Sequence, residues 1–324
     1  MEKPLVSICI PTYNRVEALK KCVDSIISSK YYSPQSVEIV ISDNCSTDET
    51  QEYVQSIVDN NRYRIFYSRN EENIGGDMNF IKVLSIAHGE FLKLHNDYSS
   101  FTEDGLGFLI NTVKLYKQSK TLLFFSIRSK EPFSYINCDD MNSFLDTTAT
   151  DVSWIGSYGF WADDFDGLES KDKMLDSKFM QVDWILRLIK KKGSCVVCCG
   201  WLTSKMPLST KHGGYNFVKL FSQSFPSLFP PYVESGDISS ATYERLMKRL
   251  LVMLLRWIFR LKFNKQEYSY ETSGTFSLLN NCFRKYSWYY YYLFIYSFRF
   301  SIKHLAIKIG LYHLLQPLTK KRKY

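Results

Sequence analysis

Hydrophobic and polar positions alternate in blocks through the first 126 residues. LVSICI (5–10), VEIVIS (37–42), YRIFYS (63–68), GEFLKLHND (89–97) and TLLFFSI (121–127) are short apolar-rich runs that read as strands. Helical spacing separates them. Residues 15–29 place Val16, Leu19, Val23, Ile26 and Ile27 on one face, and similar stretches cover 47–58, 77–88 and 105–116. Asn14 with Glu17, and Ser46 with Glu49, have capping-box spacing. Asp48 reads as a first-turn acid on a helix dipole. Strands alternating with helices predict an α/β fold, a mostly parallel sheet with helices on both faces.

Beyond residue 130 the periodicity weakens. Residues 131–165 are rich in Asp, Asn, Ser and Thr and read as loops with short strands. A helix is predicted over 177–192, then a strand at VVCCGW (196–201), then a loop with Lys205 and KHGGYN (211–216). From about 239 the character changes to two basic, aromatic-rich helical stretches and a closing TKKRKY. The pattern predicts a domain over 1–236, in halves 1–125 and 126–236, and a helical region over 237–324.

Composition sharpens this. The 324 residues are 45% hydrophobic and 16% aromatic, with a net charge of +8, which suits an anionic partner. No motif for nucleic acid is present, and nucleic-acid binding is not expected. The eight cysteines show no zinc-finger spacing and read as buried thiols of a reducing compartment. The N-terminus lacks a signal-peptide core, and no run of about 18 apolar residues exists to span a membrane. A cytoplasmic protein is expected. The cationic and aromatic helices after 239 fit a membrane interface, here the inner face of the cell membrane, or a helical cap on the preceding domain.

The candidate chemistry sits where strands stop on polar residues, at PTYNR (Pro11–Arg15) and at SDNCSTDET (42–50). Ligands bind open α/β sheets at such strand ends. The Asp43 carboxylate can accept a hydrogen bond from the imide N–H of uracil or thymine, or can serve as a helix-capping acid. Pro11, Thr12 and Tyr13 form the opposite wall. Asn73 and Gly75 lie in a third loop, where glycine lets backbone approach a ligand closely or simply turns the chain.

These pieces together resemble the family 2 glycosyltransferases, which have the GT-A fold and transfer sugars with inversion. VSICIPTYNR (6–15), EIVISDNCSTDET (38–50), RNEENIGGDMNF (69–80) and GEFLKLHND (89–97) carry the likeness, in order and spacing. It covers roughly 4–115, weakens over 150–215 and is absent from the last third. The resemblance implies a nucleotide-sugar donor, UDP-linked first, a glycan or lipid-linked oligosaccharide acceptor, and a setting in bacterial surface-polysaccharide synthesis such as O-antigen or capsule. It implies that Asp43, Asn73 and Gly75 border the base and ribose. It also implies a divalent cation, Mn²⁺ or Mg²⁺, held by a DXD-type motif after the fourth strand. This chain has Asn96, Asp97 and Tyr98 there. Asp97 becomes the metal and phosphate contact, Asn96 a ribose contact or an amide ligand, and His212 a second metal candidate from a loop closing over the diphosphate. Lys205 or Lys211 would bring charge there without metal. One carboxylate where the family has two leaves a second reading open, a nucleotide-sugar-binding protein with a degenerate site.

The resemblance places a general base at the start of a helix lining the acceptor side, which selects Asp183, with Arg187 four residues on. A plain surface ion pair is the alternative. Asp163, Asp164 and Asp166 are rivals that would line the acceptor site. Trp154 and Trp161 are candidates for stacking on an acceptor sugar, or for the core.

Overall fold

A computed structural model describes residues 2–59, 62–126, 133–205, 212–263 and 268–308. The chain divides into two compact units, Met1–Ser209 and Thr210–Tyr324. The division falls earlier than the expected boundary near 236.

The first unit is built on a five-stranded sheet in the order β3-β2-β1-β4-β8. Its strands are β1 (Val6–Thr12), β2 (Val37–Asp43), β3 (Ile65–Arg69), β4 (Phe91–Leu94) and β8 (Gly159–Trp161). The first four run parallel and β8 pairs antiparallel to β4. Helices α1 (Val16–Ile27), α2 (Thr50–Val58), α3 (Gly76–Ser85) and α4 (Gly105–Tyr116) follow the parallel strands. Val6, Ile8, Ile10, Ile39 and Ile41 meet Leu19, Val23 and Ile26 of α1 in one buried cluster. β5 (Ser99–Phe101) pairs with β10 (Thr203–Lys205), while β6 (Leu122–Ser126), β7 (Ser134–Cys138) and β9 (Cys195–Cys199) make a second small sheet. α5 (Met141–Thr148), α6 (Ala162–Asp166) and α7 (Met180–Lys192) complete this unit.

The capping boxes do not form. Asn14 adopts a left-handed backbone, φ 50°, and turns its side chain across to the next loop, where Oδ1 accepts the Thr47 N–H at 2.7 Å. The Asn14 N–H donates to Ser46 Oγ at 2.9 Å. Asp48 is not inside α2, which starts at Thr50; its Oδ2 accepts the Val16 N–H at 3.0 Å and so caps α1 from a distance. The loops after β1 and β2 are thereby laced together.

The second unit contains β11 (His212–Asn216) beside β12 (Tyr268–Glu271), the short turns α8 (Phe217–Lys219) and α9 (Pro230–Glu234), and the helices α10 (Ser240–Phe263), α11 (Thr275–Phe283) and α12 (Trp288–Lys308). α12 packs on α10, with Trp288 Nε1 donating to Glu244 and Arg256 Nε donating to Tyr296. Tyr290, Tyr291, Phe294, Phe298, Ile302 and Leu305 stay exposed. No helix among the described residues is long and apolar enough to cross a membrane.

Candidate active site

β1 is flanked by β2 and β3 on one side and by β4 on the other, so the strand order reverses at the β1/β4 boundary. A crevice outside the carboxyl ends of the strands is the expected ligand position there. Register brings Thr12, Asp43 and Arg69 to the same edge, since Thr12 pairs with Asp43 and Asp43 with Arg69. The chain leaving β4 joins them, with the His95 N–H donating to Cys9 O at 2.8 Å.

Asp43 exposes none of its surface. Its Oδ1 accepts the Ser46 N–H at 2.9 Å, and its Oδ2 takes the Tyr67 hydroxyl at 2.9 Å with Arg69 Nη1 at 3.5 Å. Burial and the Asp43 charge hold the Tyr67 phenol well above its ordinary pKa, so it stays a donor. Asp43 is therefore a buried anchor for Tyr67 and Arg69. Arg69 also donates to Ser46 O at 3.1 Å. Tyr67 and Arg69 went unnoticed in the sequence because they look like the end of an ordinary strand. Asn73 braces the third loop, its Oδ1 accepting from Asn44 at 2.7 Å and from the Gly75 N–H at 2.9 Å. Gly75, at φ 83°, starts α3 and has open space around it, so it serves the turn. Tyr13 is exposed and Pro11 half-buried beside this network.

Across the switch point, Asp97 is buried. Thr12 Oγ1 donates to Asp97 Oδ2 at 2.9 Å, and Arg15 Nη1 lies 3.3 Å from Oδ1. Burial raises the Asp97 pKa, with Arg15 and Thr12 opposing the rise. The Arg15 guanidinium sits 5.5 Å from the Tyr98 ring centroid and its side chain is 42% exposed. Asn96 is buried, and its Nδ2 has no hydrogen-bond partner. It lies against Gly156, where an added Cβ would stand 3.3 Å from that nitrogen.

Behind this half is Lys93, fully buried on β4. Its Nζ donates to Leu94 O at 2.8 Å and Gly156 O at 2.6 Å, and lies 5.5 Å from the Phe125 ring centroid. Burial pulls its pKa down to about 7. Lys93 thus pins the turn carrying half-buried Trp154 against the segment after β4. The same turn meets α7, where Gln181 Nε2 donates to Ser153 O at 3.3 Å. Asp183 follows on that first turn, its Oδ2 2.8 Å from Arg187 Nε. Burial raises the Asp183 pKa, and Arg187 opposes the rise.

Two acceptor candidates go elsewhere. Trp161 is 1% exposed, packs edge-on against Phe91 and donates its indole N–H to Thr121 O at 2.8 Å, so it has no face for a sugar. Asp164 pairs with Lys192 at the far end of α7 from Asp183, roughly 14 Å along the helix. Lys211 lies outside the described residues, as do the side chains of His212 and Lys205.

A cation site needs converging oxygens. Among the described residues no three His, Cys, Asp or Glu side chains come together. Asp97 is the lone carboxylate after β4, and a guanidinium already matches its charge. The described residues here do not fit a protein-held divalent cation; the side chain of His212, the other expected ligand, lies outside them.

Residues 7–130 match the sequence model of glycosyl transferase family 2. The abequosyltransferase RfbV of Salmonella typhimurium is 38% identical over 105 residues, 32% of this chain and 31% of its own. A Campylobacter jejuni protein named GalNAc(5)-diNAcBac-PP-undecaprenol beta-1,3-glucosyltransferase is 31% identical over 108 residues, 33% of this chain and 34% of its own. The match thus spans about a third of each relative's length. Among solved structures, Staphylococcus aureus TarS 1–349 with UDP-GlcNAc superposes at a TM-score of 0.55 and 14% identity, covering 87% of this chain and 82% of that one. The mannosyltransferase PcManGT of Pyrobaculum calidifontis, with GDP-Man and Mn²⁺, gives 0.54 and 16%, covering 94% and 88%. These structures share the GT-A fold.

Proposed function

With residues 7–130 as a family 2 glycosyl transferase domain, we propose that the chain transfers a sugar from a nucleoside diphosphate, UDP before others, to a glycan hydroxyl. The carrying observation is the switch point, where the Thr12–Asp97 hydrogen bond joins β1 to the segment after β4 beside the Asp43–Tyr67–Arg69 cluster. Asp43 reads the base once the Tyr67 hydroxyl releases Oδ2. Tyr13, Asn73 and Gly75 border the base and ribose. Asp183 takes the acceptor proton as that oxygen bonds the anomeric carbon, and the bond to the diphosphate breaks on the opposite face. Trp154, on the turn joined to α7, offers a face to the acceptor sugar.

The acceptor is a lipid-linked oligosaccharide at the cytoplasmic face of the membrane. The exposed stripe on α12, with Arg299 and Lys303 beside it, supports this reading by supplying the aromatic and cationic groups of an interfacial helix. A relative named for an undecaprenol-linked substrate points the same way.

The test is Asp183→Asn. It should lower sugar transfer by about 10²–10⁴-fold while UDP-sugar binding holds. Normal transfer by the variant would sink the base assignment. Binding without transfer or donor hydrolysis by the wild type would favour the non-catalytic reading.

A further inference from the structure

We propose that Arg15 and Asn96 hold the donor's diphosphate directly, in the place where a carboxylate-bound cation would otherwise stand. This rests on the glycosyl-transfer reading above and deepens it.

The argument is one of donors and acceptors. A cation site presents oxygens, whereas this one presents N–H groups. The Arg15 guanidinium is positioned at one end by Asp97 and by the Tyr98 ring, and its side chain remains 42% exposed. Five N–H donors in a planar fork suit phosphate oxygens. Asp97 uses both its oxygens on Thr12 and Arg15, so it fixes the guanidinium rather than a metal. The second observation is independent of the first. Asn96 Nδ2 is a buried donor with no partner. Leaving such a group unpaired is unfavourable, and a phosphate oxygen would satisfy it. Gly156 lets the backbone pack closely here, since an added Cβ would stand 2.8 Å from Trp154 Nε1 and 3.3 Å from Asn96 Nδ2.

In the transfer step the acceptor oxygen forms the new bond to the anomeric carbon and its proton goes to Asp183. The departing diphosphate keeps the bonding electron pair. Arg15 meets the charge that builds there, so no divalent cation is required for that task.

The experiment is calorimetric binding of UDP and of uridine, each in excess EDTA and in Mn²⁺. The expected wild-type result is UDP affinity equal within about twofold in the two buffers. Arg15→Ala should weaken UDP by about 10–100-fold and leave uridine unchanged. Arg15→Gln, which keeps a hydrogen bond to Asp97 without the charge, should do the same and serves if the alanine variant folds poorly. Asn96→Asp should install a second carboxylate and make UDP binding respond to Mn²⁺. UDP binding by the wild type that vanishes in EDTA overturns the inference, as does an equal loss of UDP and uridine in both Arg15 variants. If UDP, GDP, CDP and dTDP all fail to bind in either buffer, the glycosyl-transfer reading falls as well.

Discussion

The two halves of the candidate donor site are built on opposite terms. The base half is closed: Asp43 has no exposed surface, and its oxygens are taken by Ser46, Tyr67 and Arg69. The phosphate half is less closed: Asp97 and Asn96 are buried, but Arg15 leans on Asp97 with much of its surface free, and Asn96 carries an unpaired donor. A closed charge network mainly holds structure until a ligand displaces one of its members. An open one keeps its interactions in reserve. On the proposed reading, the base half would combine stability with recognition, whereas the phosphate half would give up some stability in return for binding.

Three measurements can break or sharpen this contrast. The largest effect should come from Asp43→Ala. It leaves the Ser46 N–H, the Tyr67 hydroxyl and Arg69 without their acceptor, and each buried donor left unpaired costs about 1–3 kcal/mol. Urea unfolding should show that loss together with loss of uridine binding. An unchanged midpoint would mean that the base half is no more closed than the phosphate half.

Lys93 comes next. Its ammonium is disfavoured in the fold, with a pKa near 7 against about 10.4 in the unfolded chain. Below pH 7 both states bind the proton and the fold bears the whole burial cost. Between about 7 and 10 the unfolded chain binds more proton than the fold, so this group makes stability rise with pH. Lys93→Met should flatten that rise in urea titrations at successive pH values. An identical slope in wild type and variant would show that the buried amine does not titrate there.

The smallest effect belongs to Tyr67→Phe. Removing the hydroxyl frees Asp43 Oδ2 for the base, so uridine affinity should rise by roughly two- to fivefold, within the worth of one hydrogen bond. A fall in affinity would mean that the hydroxyl itself touches the nucleoside.

The sheet was legible because its strands are apolar runs that stop on polar residues, and the parallel order follows from the helices between them. The site's position was legible for the same reason: Thr12, Asp43 and Asp97 each sit at a strand's carboxyl end. What escaped were relations across long stretches of chain. Arg15 stands in the PTYNR motif, yet its pairing with Asp97, across 82 positions, is not written in either segment. Lys93 in FLKL reads as an outward polar residue of an alternating strand. It is buried because Phe125 and the turn at Gly156 cover its face of β4. The sequence leaves Trp161 open between an acceptor sugar and the core, and β8, closing the sheet edge over Phe91, takes the indole inside. The capping boxes failed because Asn14, Ser46 and Asp48 were recruited by the neighbouring loop.

That recruitment has a kinetic meaning. Loops that are laced by Asn14, Ser46, Thr47 and Asp48 before any ligand arrives cannot wander independently. A nucleoside then meets a mould already set, and little ordering entropy is left to lose on capture. Association should then wait on the local release of the Tyr67 hydroxyl from Asp43 and not on ordering of these loops.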